Sequence, residues 1–507
     1  MLDKIHALIN RNINYLFYFC LLFFSAGFFY SVYDGKFLWC QIDETAFYCS
    51  AKSFIENNSV AAPYVVHETE AKIFGSGAYG FCYTLFYGGL SKLFGFSSPL
   101  FVSVNIILVG LCLLIIWNLN LNRNQKLWIS CLFLMFHVVA RFTFSFFSEV
   151  LNIFFGMVLS ACLIKVYETD STPEKQSRIV WWYVFLILFF SMFRLIWCFW
   201  IIGLLPFARS RKDLFNYLIV MTGVVAFAFF FMKYFCAPMN ISADKVLGNV
   251  YSFSILGFVS DFLKSIGDNF YVYFIRNMQL TKRFLITFYF YPVLTALMGW
   301  LAFRCKNKLV IAAFLIGSLS FLILFVLYSV YYLSLIKMLA SAFILYVMVI
   351  VYFNHSKLKT VAAIVLLINL PILVHHIFTD TITLRKQAWV DLNENMAAHS
   401  KALGGIAALV NSGKDVKIQL LYYDDYKFPD YVFFSSLPFK TNDGHPIRYT
   451  ENIRYRCEQK GTMDESCYFK RFGKWNVDFV LSAHPLQGND KLKIAANNSF
   501  YLYKIVE

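Results

Sequence analysis

The sequence predicts a mainly α-helical, polytopic membrane protein of about eleven transmembrane helices, with interfacial helices in its first outer loop and a small α/β extracytoplasmic domain at its C-terminal end. Three observations predict it. Hydrophobic residues make up 59% of the 507 and charged residues only 15%, with a mean hydropathy of +0.58, too apolar for a water-facing surface of ordinary composition. The charges are unevenly placed, long runs without any alternating with short clusters of Lys and Arg, so the net charge of +15 marks orientation in a membrane. From about residue 379 the apolar runs give way to short alternating segments between Pro, Gly, Asn and Asp turns, the pattern of small strands. No nucleic-acid partner is expected, because the basic residues sit mostly in short loops between spans and no nucleic-acid motif accompanies them.

The first apolar run, 14–33, is long enough to cross a bilayer core and follows Lys4 and Arg11, which places the N-terminus in the cytoplasm. It is aromatic and lacks a small-x-small pattern at its end, so it reads as an uncleaved helix and not a signal peptide. Residues 34–97 then form a long outer loop. Within it Phe47, Ala51, Phe54 and Ile55 recur at helical spacing, one apolar stripe expected to lie on the membrane surface. Residues 79–94, interrupted by Lys92, fall short of a span and are expected as a second interfacial or re-entrant helix.

Further spans are expected at 99–121, 127–147 and 150–166, and as two short helices meeting near Arg194 within 179–206. Others follow at 214–235, 284–303, 309–328, 334–353 and 360–378. Basic loops at 122–126, 209–212, 304–308 and 354–359 mark the inner side. Between the spans, Val259, Phe262, Leu263, Ile266, Phe270 and Tyr273 suggest another surface helix in an outer loop. An odd number of spans puts the C-terminal segment outside, giving a transmembrane domain over 1–378 and an extracytoplasmic domain over 379–507. In the latter, 389–410 reads as helix and 417–423, 479–483 and 500–505 as strands.

Of the 12 cysteines most lie in apolar runs (Cys20, Cys112, Cys131, Cys162, Cys198), where a thiol packs as a small hydrophobe. Cys457 and Cys467 differ: in the polar C-terminal region they are candidates for a small disulfide loop in an oxidising compartment. Cys40 and Cys49 flank the acidic pair of the first loop, and no CxxC or Cys/His zinc spacing occurs.

That acidic pair, Asp43 and Glu44, opens the amphipathic helix directly after the first span. An acidic pair in an outer loop is ordinarily solvated. Here the helix N-terminus holds it where water meets lipid and where exposed N–H groups favour negative charge. The string Asp43-Glu44-Thr45-Ala46-Phe47-Tyr48, followed by Ala51-Lys52-Ser53, resembles the opening motif of the GT-C superfamily of membrane glycosyltransferases. It is most similar to the branch of protein mannosyltransferases that use dolichyl-phosphate-mannose and of aminoarabinose transferases. The resemblance covers the first loop well. It extends more thinly to the Ser148-Glu149 turn, to Arg194 between two short helices and to the general layout of spans, and it does not reach the C-terminal domain.

The resemblance implies a transferase that takes a sugar from a polyprenyl-phosphate donor at the outer face and passes it to an acceptor hydroxyl on a cell-envelope glycan, glycolipid or protein. Asp43 would be the base and Glu44 the alternative base, while cations or a metal balance the leaving phosphate. Glu149 matches the second acidic position, although a charge at a helix N-terminus also sits well there without a catalytic role. Arg194, in a strongly apolar run, needs a partner, either the donor phosphate or an ion pair with Glu149 or Asp43. Lys72, two residues after Glu70, and Lys337, just inside a span, are further phosphate-binding candidates. His67, Glu68 and Glu70 are candidate ligands of a divalent metal, although the residues after Lys72 depart from the proline-containing pattern of that branch. A bacterial inner membrane is the expected location.

Two other classes share this composition, a transporter or flippase of a lipid-linked sugar and a non-catalytic envelope-assembly protein. A transporter should carry charged or helix-breaking residues within several spans and related halves. This chain has mainly Arg194 there and gathers its acids in outer loops, without a visible internal repeat.

Overall fold

A computed structural model describes residues 2–33, 35–36, 42–65, 80–146, 148–236, 248–249, 252, 254–276, 285–327, 332–390, 406–410, 413–421, 437–451, 458–459, 462–463, 477–482, 492–497 and 500–505. The chain opens with α1 (Leu2–Val32), α2 (Ile42–Asn57), the short strand β1 (Tyr64–Val65), α3 (Cys82–Phe94), α4 (Ser98–Trp117), α5 (Arg123–Leu134), α6 (His137–Thr143), α7 (Glu149–Glu168) and α8 (Pro173–Ser191). A 3-10 helix (Leu195–Phe207) precedes α9 (Arg211–Phe235), α10 (Ile255–Tyr271), α11 (Leu285–Cys305), α12 (Lys308–Leu327), α13 (Tyr332–Tyr352) and α14 (Ser356–His375). Strands β2 (Val416–Leu421), β3 (Ile447–Glu451), β4 (Glu458–Gln459), β5 (Thr462–Met463), β6 (Phe479–Ser482), β7 (Leu492–Asn497) and β8 (Phe500–Ile505) follow. These elements form two compact units: residues 1–34, 102–230 and 240–382 in one, and residues 35–101, 231–239 and 383–507 in the other.

The first unit holds most of the apolar helical length. Among the described residues, five helices are long and apolar enough to cross a membrane: Leu2–Val32, Pro99–Trp117, Glu149–Glu168, Arg211–Phe235 and Lys308–Val326. The pair α5 and α6, bent by 61°, makes a sixth if it is one span, and Leu195–Phe207 and Lys337–Tyr352 are shorter apolar helices. By length and composition five or six helices among the described residues thus suit a membrane protein, and the count of about eleven spans stays an expectation.

Close approaches hold this unit together. A Cβ on Gly156 of α7 would collide with Ser341 of α13, and one on Gly317 of α12 with Tyr346 of α13, so the missing side chains let those helix pairs meet. Tyr291 of α11 donates its hydroxyl to the Gly317 carbonyl at 3.0 Å. Asn122 and Gln125 close a reciprocal cap at the start of α5, each side chain accepting from the other's backbone N–H at 2.9 and 3.2 Å. The surface-helix pattern at 259–273 does form a helix, α10. Its Ser265 and Asn269 donate to the Val326 and Phe325 carbonyls at 2.8 and 2.7 Å, which satisfies the end of α12, and it leaves Ile255, Leu256, Leu263 and Phe270 exposed.

Helix α7 fixes the distance between the two ends of the unit. Its 20 residues span roughly 30 Å, about the thickness of a bilayer core. Beyond its C-terminal end Asp170 pairs with Lys308 at 2.8 Å and Arg209 at 3.6 Å. Glu149 begins it at the other.

In the second unit the apolar stripe of α2, expected to face a membrane surface, packs on α3. Phe47 meets Tyr83 edge-on with ring centroids 5.3 Å apart, Ala51 is fully buried, and the Phe54 ring lies against Gly88, whose lack of a side chain admits it. Helical periodicity is the same whether lipid or protein covers the stripe, and here protein does.

The sheet runs in the order β1-β3-β2-β6-β8-β7. Strands β1/β3, β2/β3 and β2/β6 pair in parallel, and β6/β8 and β7/β8 antiparallel. Val416, Ile418 and Leu420 of β2 and Val480 and Leu481 of β6 are buried, as central strands require. Strand β1 belongs to the first loop, yet Tyr64 registers with Tyr449 of β3 and the Tyr449 N–H donates to the Pro63 carbonyl at 2.6 Å. Residues 35–101 thus share a unit with 383–507, whereas the sequence-based division at 378 keeps that loop with the helices.

Candidate functional site

The first candidate cluster stands at the Glu149 end of the helical unit. Arg194 occupies the break between α8 and the 3-10 helix, with an extended backbone (φ −148°, ψ 135°), so the two short helices meet there as the sequence predicts. From that break its Nη2 donates to Glu149 Oε1 at 2.8 Å and to Ser148 Oγ at 3.2 Å, while Nη1 reaches Met338 Sδ at 3.3 Å. Lys337, in the second turn of α13, brings its Nζ to 3.9 Å from the same Glu149 oxygen. The three charged side chains are 1% (Glu149), 10% (Arg194) and 15% (Lys337) exposed, so their interactions are little screened.

A layer of polar contacts supports them. Asn152, one turn after Glu149, donates to the Ser148 carbonyl at 2.9 Å and accepts from Trp197 Nε1 at 3.2 Å, and Ser341 Oγ donates to the Asn152 carbonyl at 3.1 Å. Glu149 Oε2 is buried and has no hydrogen-bond partner among the described residues. The ion pair with Glu149 weighed for Arg194 from the sequence is therefore present, and Lys337 joins it.

The second candidate is the start of α2. Asp43 and Glu44 both lie in its first turn; the side chain of Asp43 lies outside what the structure describes. Glu44 is fully buried, and its Oε1 accepts from Arg385 Nη2 at 2.5 Å and from Arg385 Nε at 3.2 Å. Arg385 is itself 2% exposed. The sequence reading missed Arg385. Its signal is the spacing Ile382, Arg385, Ala388, three buried positions on one helical face directly after the last apolar run.

Near this turn, burial pushes the Cys49 thiol up to about 12, which leaves it neither a nucleophile nor a ready metal ligand. The Glu56 carboxyl is also raised by burial, with Lys52 and Lys440 opposing the shift.

His67, Glu68, Glu70, Lys72, Cys457 and Cys467 lie outside the described residues. Among the described residues no three His, Cys, Asp or Glu side chains converge as a metal site. The structure thus brings together Glu149, Arg194 and Lys337 in one unit, and Glu44 with Arg385 in the other.

No known family's model matches the sequence, and no curated protein matches it. Among solved structures, the chain is similar to the crystal structure of the Archaeoglobus fulgidus oligosaccharyltransferase in complex with Zn and sulfate, with a TM-score of 0.50 and 12% identity, covering 92% of this chain and 67% of that one. The apo form of that oligosaccharyltransferase gives a TM-score of 0.47 and 10% identity over 92% of this chain and 70% of that one. The likeness to the first, at 12% identity, is one of fold alone.

Proposed function

We propose that the protein is a GT-C-type membrane glycosyltransferase that moves a sugar from a polyprenyl-phosphate donor to an acceptor hydroxyl on a cell-envelope glycan, glycolipid or protein, at the outer face of a bacterial inner membrane. The observation that carries the reading is the convergence of Arg194 and Lys337 on the buried Glu149 at one end of the helical unit. Ionisable groups inside an apolar bundle are costly and mark sites for charged ligands. The fold likeness to an oligosaccharyltransferase supports the same class.

In this reaction the acceptor oxygen attacks the anomeric carbon, the bond from that carbon to the phosphate oxygen breaks, and polyprenyl phosphate leaves with the electron pair. Asp43 takes the acceptor's proton. Arg194 and Lys337 balance the charge that grows on the leaving phosphate, and Glu149 orients both cations before the donor arrives. Glu44, closed to water and bound by Arg385, would have to break that pair to accept a proton, so its part is to fix the turn that carries Asp43. A divalent metal held by His67 and Glu70 would add charge stabilisation at a phosphate.

The test is donor consumption by the purified protein in lipid nanodiscs, supplied with radiolabelled polyprenyl-phosphate sugars and a panel of hydroxyl acceptors. Transfer of label with release of polyprenyl phosphate is expected. A flippase would instead move the donor intact across vesicles without cleaving it, and that outcome would overturn the reading.

A further inference from the structure

We propose that the groove between the N-terminal halves of α8 and α9 binds an anionic phospholipid, its phosphate at a basic rim and one acyl chain along the groove's valines. The inference is independent of the transferase reading. The groove has a volume of about 280 Å³, and its walls include Val180, Val184 and Val220, with Gln176, Arg209 and Tyr217 nearer the end of the bundle. That volume suits part of one chain and not a whole lipid.

The groove lies at the end of the unit away from Glu149. Arg209 Nη2 donates to Gln176 Oε1 at 2.7 Å, and Gln176 Nε2 donates to Asp170 Oδ1 at 3.0 Å, just beyond the C-terminal end of α7. It therefore stands roughly 30 Å from Arg194, a bilayer core away.

Charge and aromatic placement both point to a lipid. Lys175, Arg178, Arg211 and Lys212 are exposed around this end and enter no ion pair among the described residues. Two of the nearby acids are already engaged: Asp170 by Lys308 and Arg209, and Asp213 by the backbone N–H groups of Arg209 and Ser210 at 3.2 and 3.1 Å. Trp181, which lines the groove, and the next residue, Trp182, are 62% and 59% exposed, as aromatic residues at a headgroup boundary are. On α9, Leu214, Phe215, Leu218 and Ile219 point outward, which suits a helix that meets hydrocarbon. An apolar slot under a basic, aromatic rim fits an amphiphile with a negative head, whereas free phosphate would leave the valines unused.

The experiment titrates the lipid-stripped full chain in detergent with phosphatidylglycerol, with phosphatidylcholine of the same chains, and with inorganic phosphate, and follows the melting temperature. A saturable rise with phosphatidylglycerol is expected, with half-saturation about tenfold weaker for phosphatidylcholine and no rise with phosphate. The Arg211→Gln/Lys212→Gln variant should raise the half-saturating concentration roughly thirtyfold, and Val220→Trp should remove the response. Because Val220→Trp risks misfolding, the wild-type chain is also photo-crosslinked with a phosphatidylglycerol carrying a diazirine in one acyl chain, and adducts are expected within 177–184 and 216–220. Equal response to both lipids, a response to phosphate alone, or adducts only elsewhere would overturn the proposal.

Discussion

Arg385 and Glu44 stand 341 positions apart in the sequence and form a buried ion pair, with Arg385 Nη2 donating to Glu44 Oε1 at 2.5 Å. The pair ties the first turn of α2 to the helical residues 384–390 that follow the last apolar helix. Removing one partner leaves the other charge buried. Glu44→Gln and Arg385→Ala should each destabilise the protein by about 3–5 kcal/mol, whereas the paired replacement Glu44→Leu/Arg385→Met should recover most of that loss. Chemical unfolding of the purified variants measures both.

Lys337 approaches Glu149 alongside Arg194, so its loss leaves that ion pair in place. Lys337→Gln should reduce kcat/KM for a phosphate-linked donor roughly tenfold to a hundredfold with little change in melting, and Lys337→Arg should restore part of it. Arg194→Ala, which strips the closest cation from a buried carboxylate, should reduce both activity and stability. Steady-state kinetics with donor as the varied substrate separate these outcomes.

The glycines at the helix contacts have no room for a methyl group. Gly317→Ala, which drives a Cβ into Tyr346, should cost about 1–3 kcal/mol through overpacking. Gly110→Ala is the control, since a Cβ there meets nothing within 4 Å, and it should leave stability unchanged or slightly raised. Melting curves in the same detergent compare the two.

At the other end of the bundle, burial alone would push the Asp170 carboxyl up, but hydrogen bonds from Lys308 and Gln176 and the charges of Lys308 and Arg209 hold it below the usual carboxylate range. A depressed folded-state value means the contribution is complete above the unfolded value of about 3.9 and is lost as the pH falls through the folded value. Asp170 and Lys308 are 28% and 36% exposed, so screening keeps the pair below about 1 kcal/mol. Lys308→Ala should therefore lower stability slightly at neutral pH and low salt, and the difference from wild type should vanish in 1 M salt and in acid. Melting against pH and salt checks the sign.

Features written in one stretch of sequence were legible from it. The run at 214–235 became α9 (Arg211–Phe235), the charge at Arg194 marked a real break, and the alternating segment at 417–423 became β2 (Val416–Leu421). Features that depend on what a stretch meets were not. The stripe of Phe47, Ala51 and Phe54 has the same period whether it meets lipid or α3. Strand β1 is two residues long, too short to carry an alternation, and its partner β3 is some 380 positions away. No Pro or Gly announces the 61° bend between α5 and α6. At the candidate site Arg194 was readable as a costly charge in an apolar run, Glu149 from the second acidic position of the resemblance and Lys337 from its place just inside a span, whereas Arg385 follows the last apolar run and carries no such mark.

The central claim rests on Asp43 as the base of a sugar transfer. The most direct measurement supplies radiolabelled polyprenyl-phosphate sugar to membranes carrying the wild-type chain, Asp43→Asn or Glu44→Gln, with folded protein quantified in each. Transfer by the wild type, and a loss of about a hundredfold or more in Asp43→Asn at wild-type levels of folded protein, is the predicted result. Full transfer by Asp43→Asn would contradict it, whatever Glu44→Gln does.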